Sequence, residues 1–108
     1  LFVVTGKVRN DFPSPRSYIE VVGRLFSSGR KPAGVESVFC GNSLTDEELT
    51  SLPSDRIKNI LHARAGRNNS NIDVRPGNVL PYMIVFDNLP DQLDELSVEV
   101  KGSHPSNG

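Results

Sequence analysis

Apolar and polar side chains alternate along the first nine residues of the chain. Phe2, Val4 and Val8 fall on one face at a period of two, while polar side chains fall on the other. This period is that of a strand with one buried face, so we predict a half-buried strand over residues 1–9. Gly6 stands at an inner-face position where a bulky residue is expected, which indicates a bulge or the close approach of another segment.

Two further strands are predicted in the first part of the chain. In residues 17–27, Ile19 and Leu25 share a face, and Gly23 again interrupts it. Residues 35–40 form a shorter strand-like run. The turn-forming residues between the two segments predict a hairpin with a longer loop.

Strand character returns in the last third of the chain. A short strand is predicted at 72–74, and the proline and glycine of residues 75–78 fit a type II turn. Residues 82–86 are almost continuously apolar, which predicts a central strand covered on both faces. Residues 96–101 alternate cleanly and predict a half-buried strand, and the polar tail from Gly102 is expected to fray.

The middle of the chain has a helical pattern. Thr45 and Glu48 have the spacing of a capping box, in which each side chain accepts a hydrogen bond from the backbone N–H of the other. Leu44 and Leu49 occupy the two positions of a hydrophobic staple around this cap. We therefore predict a short helix over residues 46–51.

A second helix is predicted after Pro53, which ends the first one. Ser54 is its predicted N-cap and Gly66 its predicted C-cap. Its apolar stripe at helical spacing consists of Ile57, Ile60 and Leu61.

This order of elements predicts a mostly β fold. Five or six short strands around a pair of helices favour two packed antiparallel sheets over alternating strand–helix units. We predict an immunoglobulin-like antiparallel β-sandwich with a two-helix insertion. The single domain is expected to span residues 1–102, with the insertion at about 45–66 and a flexible tail at 103–108.

The composition favours one folded domain. Hydrophobic residues make up 36% and charged residues 23% of the 108 residues, which argues against disorder. The formal net charge of -1 argues against a general nucleic-acid binder, which needs an excess of basic residues. The sequence has no apolar run long enough to span a bilayer and no signal peptide. Since Leu1 already belongs to a predicted strand, we expect the chain to be a piece of a longer protein.

Few residues suggest catalysis or cofactor binding. Cys40 is the only cysteine, which excludes an intramolecular disulfide and a structural zinc site. It forms a formal Cys/His pair with His62, but no motif surrounds it, and a buried structural thiol is the favoured interpretation. The acidic groups at 46–48 and 91–95 fit helix capping and a solvated connector better than a calcium site. We therefore expect no cofactor, no metal and no enzymatic activity.

Positive charge is concentrated on the second predicted helix and its exit. One interpretation is a binding patch for an anionic partner or for lipid headgroups. The favoured interpretation is a solvated helix face whose late cations complement the helix dipole. The residues of this basic patch are Arg56, Lys58, His62, Arg64 and Arg67.

Several motifs occur together in an order that resembles a known family. They are Gly6-Lys7-Val8-Arg9-Asn10, Gly23-Arg24-Leu25-Phe26, Cys40-Gly41-Asn42-Ser43-Leu44, Arg75-Pro76-Gly77, Pro81-Tyr82-Met83-Ile84-Val85-Phe86 and Leu96-Ser97-Val98-Glu99-Val100. The order resembles the bacterial family called domain of unknown function 3426, and the opening resembles related extracytoplasmic β-sandwich modules. The resemblance implies a domain on the periplasmic side of the inner membrane, C-terminal to a zinc ribbon and one transmembrane helix. It implies no catalytic residues.

Two functions remain open at this point. The first is a non-enzymatic protein-interaction or scaffolding module at the bacterial cell envelope, with protein partners, no nucleic acid and a membrane tether outside this sequence. Residues 1–9 and 96–101 are its candidate edge strands. The second is a small-ligand-binding sensor domain of a membrane-anchored protein, with a pocket between the sheets and the helical insertion. An enzyme is the least favoured class because the catalytic inventory is thin.

Overall fold

The computed structural model describes residues 1–106 and contains five strands and two α helices in that range. No helix of this range is both long and apolar enough to cross a membrane. Residues 107 and 108, the end of the predicted tail, lie outside the described range. The elements follow the order β1 (Phe2–Arg9), β2 (Arg16–Ser27), β3 (Lys31–Phe39), α1 (Asp46–Ser51), α2 (Ser54–Leu61), a 3-10 turn (Arg67–Asn69), β4 (Val79–Phe86) and β5 (Leu93–Pro105).

The strands form two antiparallel sheets, β1-β4 and β3-β2-β5. The sheets face each other, since Ile84 and Phe86 of β4 lie against Gly23 of β2. The predicted mostly β, antiparallel class is therefore confirmed, with a sandwich-like layering and two short helices. The immunoglobulin-like detail stays a prediction, because the described sheets hold two and three strands where that fold has about seven.

Two inner-face glycines allow close packing. A Cβ atom on Gly6 would overlap the ring and hydroxyl of Tyr82, its pairing partner on β4. A Cβ atom on Gly23 would lie 2.9 Å from Cδ1 of the buried Ile84. The close approach predicted at Gly6 is therefore confirmed, and Gly23 allows the two sheets to meet.

Strand β4 differs from the central strand predicted over residues 82–86. In the described structure β1 is the only strand that pairs with it, so it is an edge strand. Its last four residues are nevertheless all buried, because one face meets the three-stranded sheet and α2 packs against the strand. The predicted burial is confirmed. The central position is wrong, because a continuous apolar run reports coverage of the two faces and not the number of neighbouring strands.

Helix α1 spans the predicted residues and has both bonds of the capping box. The backbone N–H of Glu48 donates to Oγ1 of Thr45 at 3.1 Å, and the backbone N–H of Thr45 donates to Oε1 of Glu48 at 3.0 Å. Leu44 is buried, and Leu49 packs against the core. The two staple positions therefore anchor the helix from both sides of its cap.

Helix α2 lies inside the predicted insertion, but both of its caps differ from the prediction. Its N-cap is Pro53, and the Ser54 hydroxyl donates instead to a carboxylate oxygen of Asp87 at 2.9 Å. The helix ends at Leu61, and Gly66 lies beyond it with a φ of +74°. A glycine here indicates a backbone position with positive φ. It does not indicate whether that position ends a helix or belongs to the turn after it.

The strand predicted at 72–74 is a single bridge to Arg16. The type II turn that follows is confirmed. The backbone N–H of Asn78 donates to the carbonyl of Arg75 at 3.0 Å, and Gly77 has a φ of +84°.

Three strands extend by three residues or more beyond their predicted bounds. Strands β3, β4 and β5 begin three or four residues before the predicted start, and β5 also continues past Gly102. The flexible tail predicted at 103–108 is therefore wrong for its first three residues, because the end of β5 pairs with the start of β2, where Arg16 faces Pro105. Polar residues without apolar alternation gave no sign of this pairing.

Candidate functional site

Two of the five residues of the basic patch, Lys58 and Arg67, pair with carboxylates of their own chain. Nζ of Lys58 lies 2.7 Å from Oδ2 of Asp87 and 3.9 Å from Oε1 of Glu36, so it ties α2 to β3 and to the end of β4. Nη2 of Arg67 lies 2.8 Å from Oε2 of Glu48, on α1. These two cations hold the helical insertion in place, which favours a structural role for them.

The other patch residues are dispersed. The guanidinium carbon of Arg64 lies 4.4 Å from the ring centroid of Tyr18, in a cation–π contact with β2. Arg56 and His62 are exposed, and neither forms a salt bridge within residues 1–106. The structure therefore divides the patch into separate contacts instead of one cationic surface.

The pKa shifts around the insertion agree with structural ion pairs. The hydrogen bond from Arg67 and then that from the Thr45 backbone lower the pKa of Glu48 from 4.5 to about 2. The hydrogen bond with Asp87 raises the pKa of Lys58, and the same bond lowers the pKa of Asp87. Each shift favours the charged form of its group, as expected for a paired carboxylate or ammonium.

Cys40 is buried in the core, as predicted. Burial raises the pKa of its thiol to about 12, so the thiolate is scarce at neutral pH. The part of the chain that the structure describes also brings together no group of three or more His, Cys, Asp or Glu side chains suited to a metal ion. Within these residues, Cys40 is not an activated thiolate and no metal centre is assembled.

The most distinctive surface is the side of the sandwich bounded by β1 and β5, which we call the open side. Leu96 and Val100 pair with Leu25 and Val21 of β2, so all four side chains belong to the inner face. Leu25 and Val21 are 0% exposed, but Leu96 is 38% and Val100 54% exposed. Strand β4 of the two-stranded sheet packs against β2 and β3, and β5 is only partly covered.

A cleft of about 360 Å³ opens on this side. It takes residues from both sheets and from the loop between β1 and β2, so it continues the space between the sheets out to solvent. Its exposed lining is mostly apolar, and its charged lining residues are Arg16 and the paired Arg9 and Asp11. The principal lining residues are Val8, Asn10, Phe12, Arg16, Ile19 and Val100.

Three contacts fix the orientation of the Arg16 side chain. Its Nε and Nη2 donate to the hydroxyl and the carbonyl of Ser103 at 2.8 and 2.9 Å. Its guanidinium carbon lies 4.2 Å from the ring centroid of Phe12. Among residues 1–106 it forms no salt bridge with a carboxylate, whereas Arg9 at the same cleft pairs with Asp11.

Asn10 shapes the loop that carries Phe12. Its buried side chain donates to the carbonyls of Ser14 and Val74 at 3.1 and 2.9 Å, and it accepts from the backbone N–H of Phe12 at 2.9 Å. The last bond is the local turn that an asparagine after a strand predicts. The bonds to Ser14 and Val74 add rigidity that the local sequence does not reveal.

The residues of the open side were not predicted as a site. A phenylalanine among turn-forming residues, followed by an arginine, was the available signal, since an aromatic in a polar loop needs a partner. Only the fold shows that Arg16 and Phe12 line the same cleft as Val100, which lies far along the chain. The predicted edge strands 1–9 and 96–101 do border this side.

Comparison with protein-family models, with curated proteins and with solved structures gave no match to this chain. The candidate site therefore rests on geometry alone. Its features are an apolar inner face that reaches solvent, two strand edges beside it and an arginine fixed at its rim.

Proposed function

We propose that this domain is a non-enzymatic interaction module that receives an extended segment of a partner protein along β5, at the open side. The observation that carries the proposal is the exposure of Leu96 and Val100 at inner-face positions of an edge strand. A partner strand added to this edge gains backbone hydrogen bonds from β5 and covers the row of apolar side chains beside it.

The occupant is an extended segment, because the unpaired backbone groups of β5 and its exposed apolar side chains both repeat at the strand period. The unpaired backbone groups of an edge strand bind another strand, whereas a helix cannot satisfy them. The outer face of β5 is already engaged with β2, through the ion pairs of Glu99 with Arg24 and of Lys101 with Glu20. The inner, apolar face is therefore the one left for specificity.

The location of the module is part of the same proposal. The resemblance to domain of unknown function 3426 motivates an immunoglobulin-like domain on the periplasmic side of the inner membrane, C-terminal in a single-pass membrane protein. A module in that place would meet envelope proteins as its partners. A membrane tether would lie outside the present sequence.

The test is site-specific photo-crosslinking in cells of the source organism. We place p-benzoylphenylalanine at Val100 and, as a matched control, at Val35, which is 61% exposed on the outer face of β3. We expect one discrete protein adduct from position 100 that position 35 does not give, with the contact mapped to an extended apolar segment. No adduct at position 100, the same adducts at both positions, or an adduct only with a second copy of this chain would overturn the proposal.

A further inference from the structure

We infer that the cleft on the open side binds the carboxylate of a small apolar acid, with Arg16 as its anion receptor. The ligand class is a monocarboxylate on an acyl chain of medium length, such as a medium-chain fatty acid. This inference goes beyond the interaction function, because the cleft lies where the end of β1 approaches β5, and a ligand can fill it without a strand added to the free edge of β5.

Arg16 meets the physical requirements for carboxylate recognition. A guanidinium presents its donors in a planar fork that matches the two oxygens of a carboxylate. Ser103 and the Phe12 ring fix the orientation of this fork and engage Nε and Nη2, while Nη1 forms no hydrogen bond within residues 1–106. The half-buried charge lacks an anionic partner in that range, so an incoming carboxylate replaces no existing ion pair.

The rest of the cleft selects an apolar body. Val8, Ile19 and Val100 supply aliphatic surface from three strands, and Phe12 supplies a ring face. The volume of about 360 Å³ lies at the low end of the roughly 300–1,000 Å³ of small-molecule pockets. A medium-length acyl chain fits this size, and its removal from water provides the driving force.

Two other clusters do not have these properties. Lys58 lines a second groove, but Asp87 and Glu36 already neutralise it. Arg64 stacks on Tyr18 at the surface, and it lines none of the three grooves described for this structure. Arg16 is thus the cation that combines a fixed posture, no paired carboxylate in the described chain and an apolar cavity.

The experiment titrates the purified domain with octanoate, octanol and octylamine, followed by calorimetry and by two-dimensional NMR. We expect octanoate to bind at least about tenfold more tightly than octanol, since one charge-assisted hydrogen-bond pair is worth that much. Octylamine should not bind measurably. The shifted resonances should be those of Phe12, Val100 and Ser103. Equal binding of all three probes, or shifts elsewhere, would overturn the inference.

Variants separate the receptor from general apolar binding. Arg16→Gln should weaken octanoate binding at least about tenfold and leave octanol binding unchanged. Arg30→Gln is the matched control, because Arg30 also lies over a phenylalanine ring, at 6.0 Å, on another part of the surface. Retention of octanoate binding by Arg16→Gln would contradict the inference.

A second pair of variants guards against unfolding of Arg16→Gln. Val100→Glu places a carboxylate beside the cleft at a position that is more than half exposed, and Val100→Gln is its neutral match. We expect Val100→Glu to abolish octanoate binding and Val100→Gln to retain most of it, with both variants folded by circular dichroism. Equal octanoate affinity of the two variants would overturn the inference, whatever the outcome of the crosslinking experiment.

Discussion

The side chain of Asn71 connects the segment after the helical insertion to β2. Truncation of this side chain should destabilise the domain. The side chain is 0% exposed. Its Oδ1 accepts from the backbone N–H of Ile19 at 2.9 Å, and its Nδ2 donates to the carbonyl of the same residue at 3.0 Å. The side-chain amide thus forms the two hydrogen bonds that a neighbouring strand would form, at the place where the pairing of β2 with β5 is irregular. The perturbation is Asn71→Ala.

The expected loss follows from what each atom of Ile19 keeps. Its carbonyl also accepts from the N–H of Cys40 at 2.9 Å, so it remains bonded and loses one net hydrogen bond, about 0.5–1.5 kcal/mol. Its N–H donates to Oδ1 of Asn71, and without this acceptor it becomes a buried unsatisfied donor, which costs about 1–3 kcal/mol. We therefore expect a loss of about 1.5–4.5 kcal/mol, a large part of the roughly 5–15 kcal/mol of a typical domain.

The assay is equilibrium unfolding in urea, with hydrogen exchange of the Ile19 amide as a local readout. Asn78→Ala is the control, because Asn78 is exposed. We expect the control to change the unfolding free energy by less than about 0.5 kcal/mol. If Asn71→Ala costs less than about 1 kcal/mol at an unchanged denaturant slope, or if the Ile19 amide stays protected, the reasoning is refuted.

Two further predictions concern titratable groups. The folded pKa of Glu48 is depressed, so its contribution to stability is fully present above about pH 4.5 and is lost as the pH falls towards about 2. Glu48→Gln keeps a capping side chain, so the difference between parent and variant in urea unfolding should shrink over this pH range, and a constant difference would contradict the ion pair with Arg67. The Cys40 thiol, with a pKa of about 12, should resist a thiol reagent at pH 8 in the native protein and react completely in urea. Fast labelling of native protein would contradict its burial.

Local patterns predicted the local elements well. The alternation that includes Val4 and Val8 predicted β1, and the spacing of Thr45 and Glu48 predicted α1 with both of its capping bonds. Gly6 was correctly interpreted as a close approach, although the sequence could not identify Tyr82 as the neighbour. Periodicity and capping depend on residues within one or two turns of each other, so one sequence is enough for them.

Features that depend on distant segments were missed. The end of β5 is ordered by pairing with the start of β2 and by the bonds of Arg16 to Ser103, across 87 positions. The role of Asn71 depends on Ile19, 52 positions away. The interpretation of residues 103–105 as a tail was therefore wrong, and the bonds of Asn71 could not be predicted, for the same reason: neither segment has a local pattern that indicates its partner.

The candidate site shows the same contrast between features that depend on local sequence and features that depend on distant segments. The basic patch was a correct count of charges along the sequence, but Asp87, Glu36 and Tyr18, which engage two of its members, lie on other elements. The open side was invisible because alternation predicts which face of a strand points inward. It does not predict how far the opposite sheet extends.

In the exposed part of β5, the sequence pattern therefore predicts burial, but the fold leaves apolar side chains in contact with water. The alternation of Leu96 and Val100 with polar residues specifies a buried inner face, yet a sheet of two strands lies opposite a sheet of three. An apolar face beside an unpaired strand edge favours aggregation unless a further element covers it. Ser103 and Phe12 fix the orientation of Arg16 next to this face. Protection of the strand edge against aggregation does not require a charge in a fixed orientation. The combination is better explained by a surface that receives an occupant than by an incomplete core, and the exposure of Val100 is the quantity that an occupant of either kind must change.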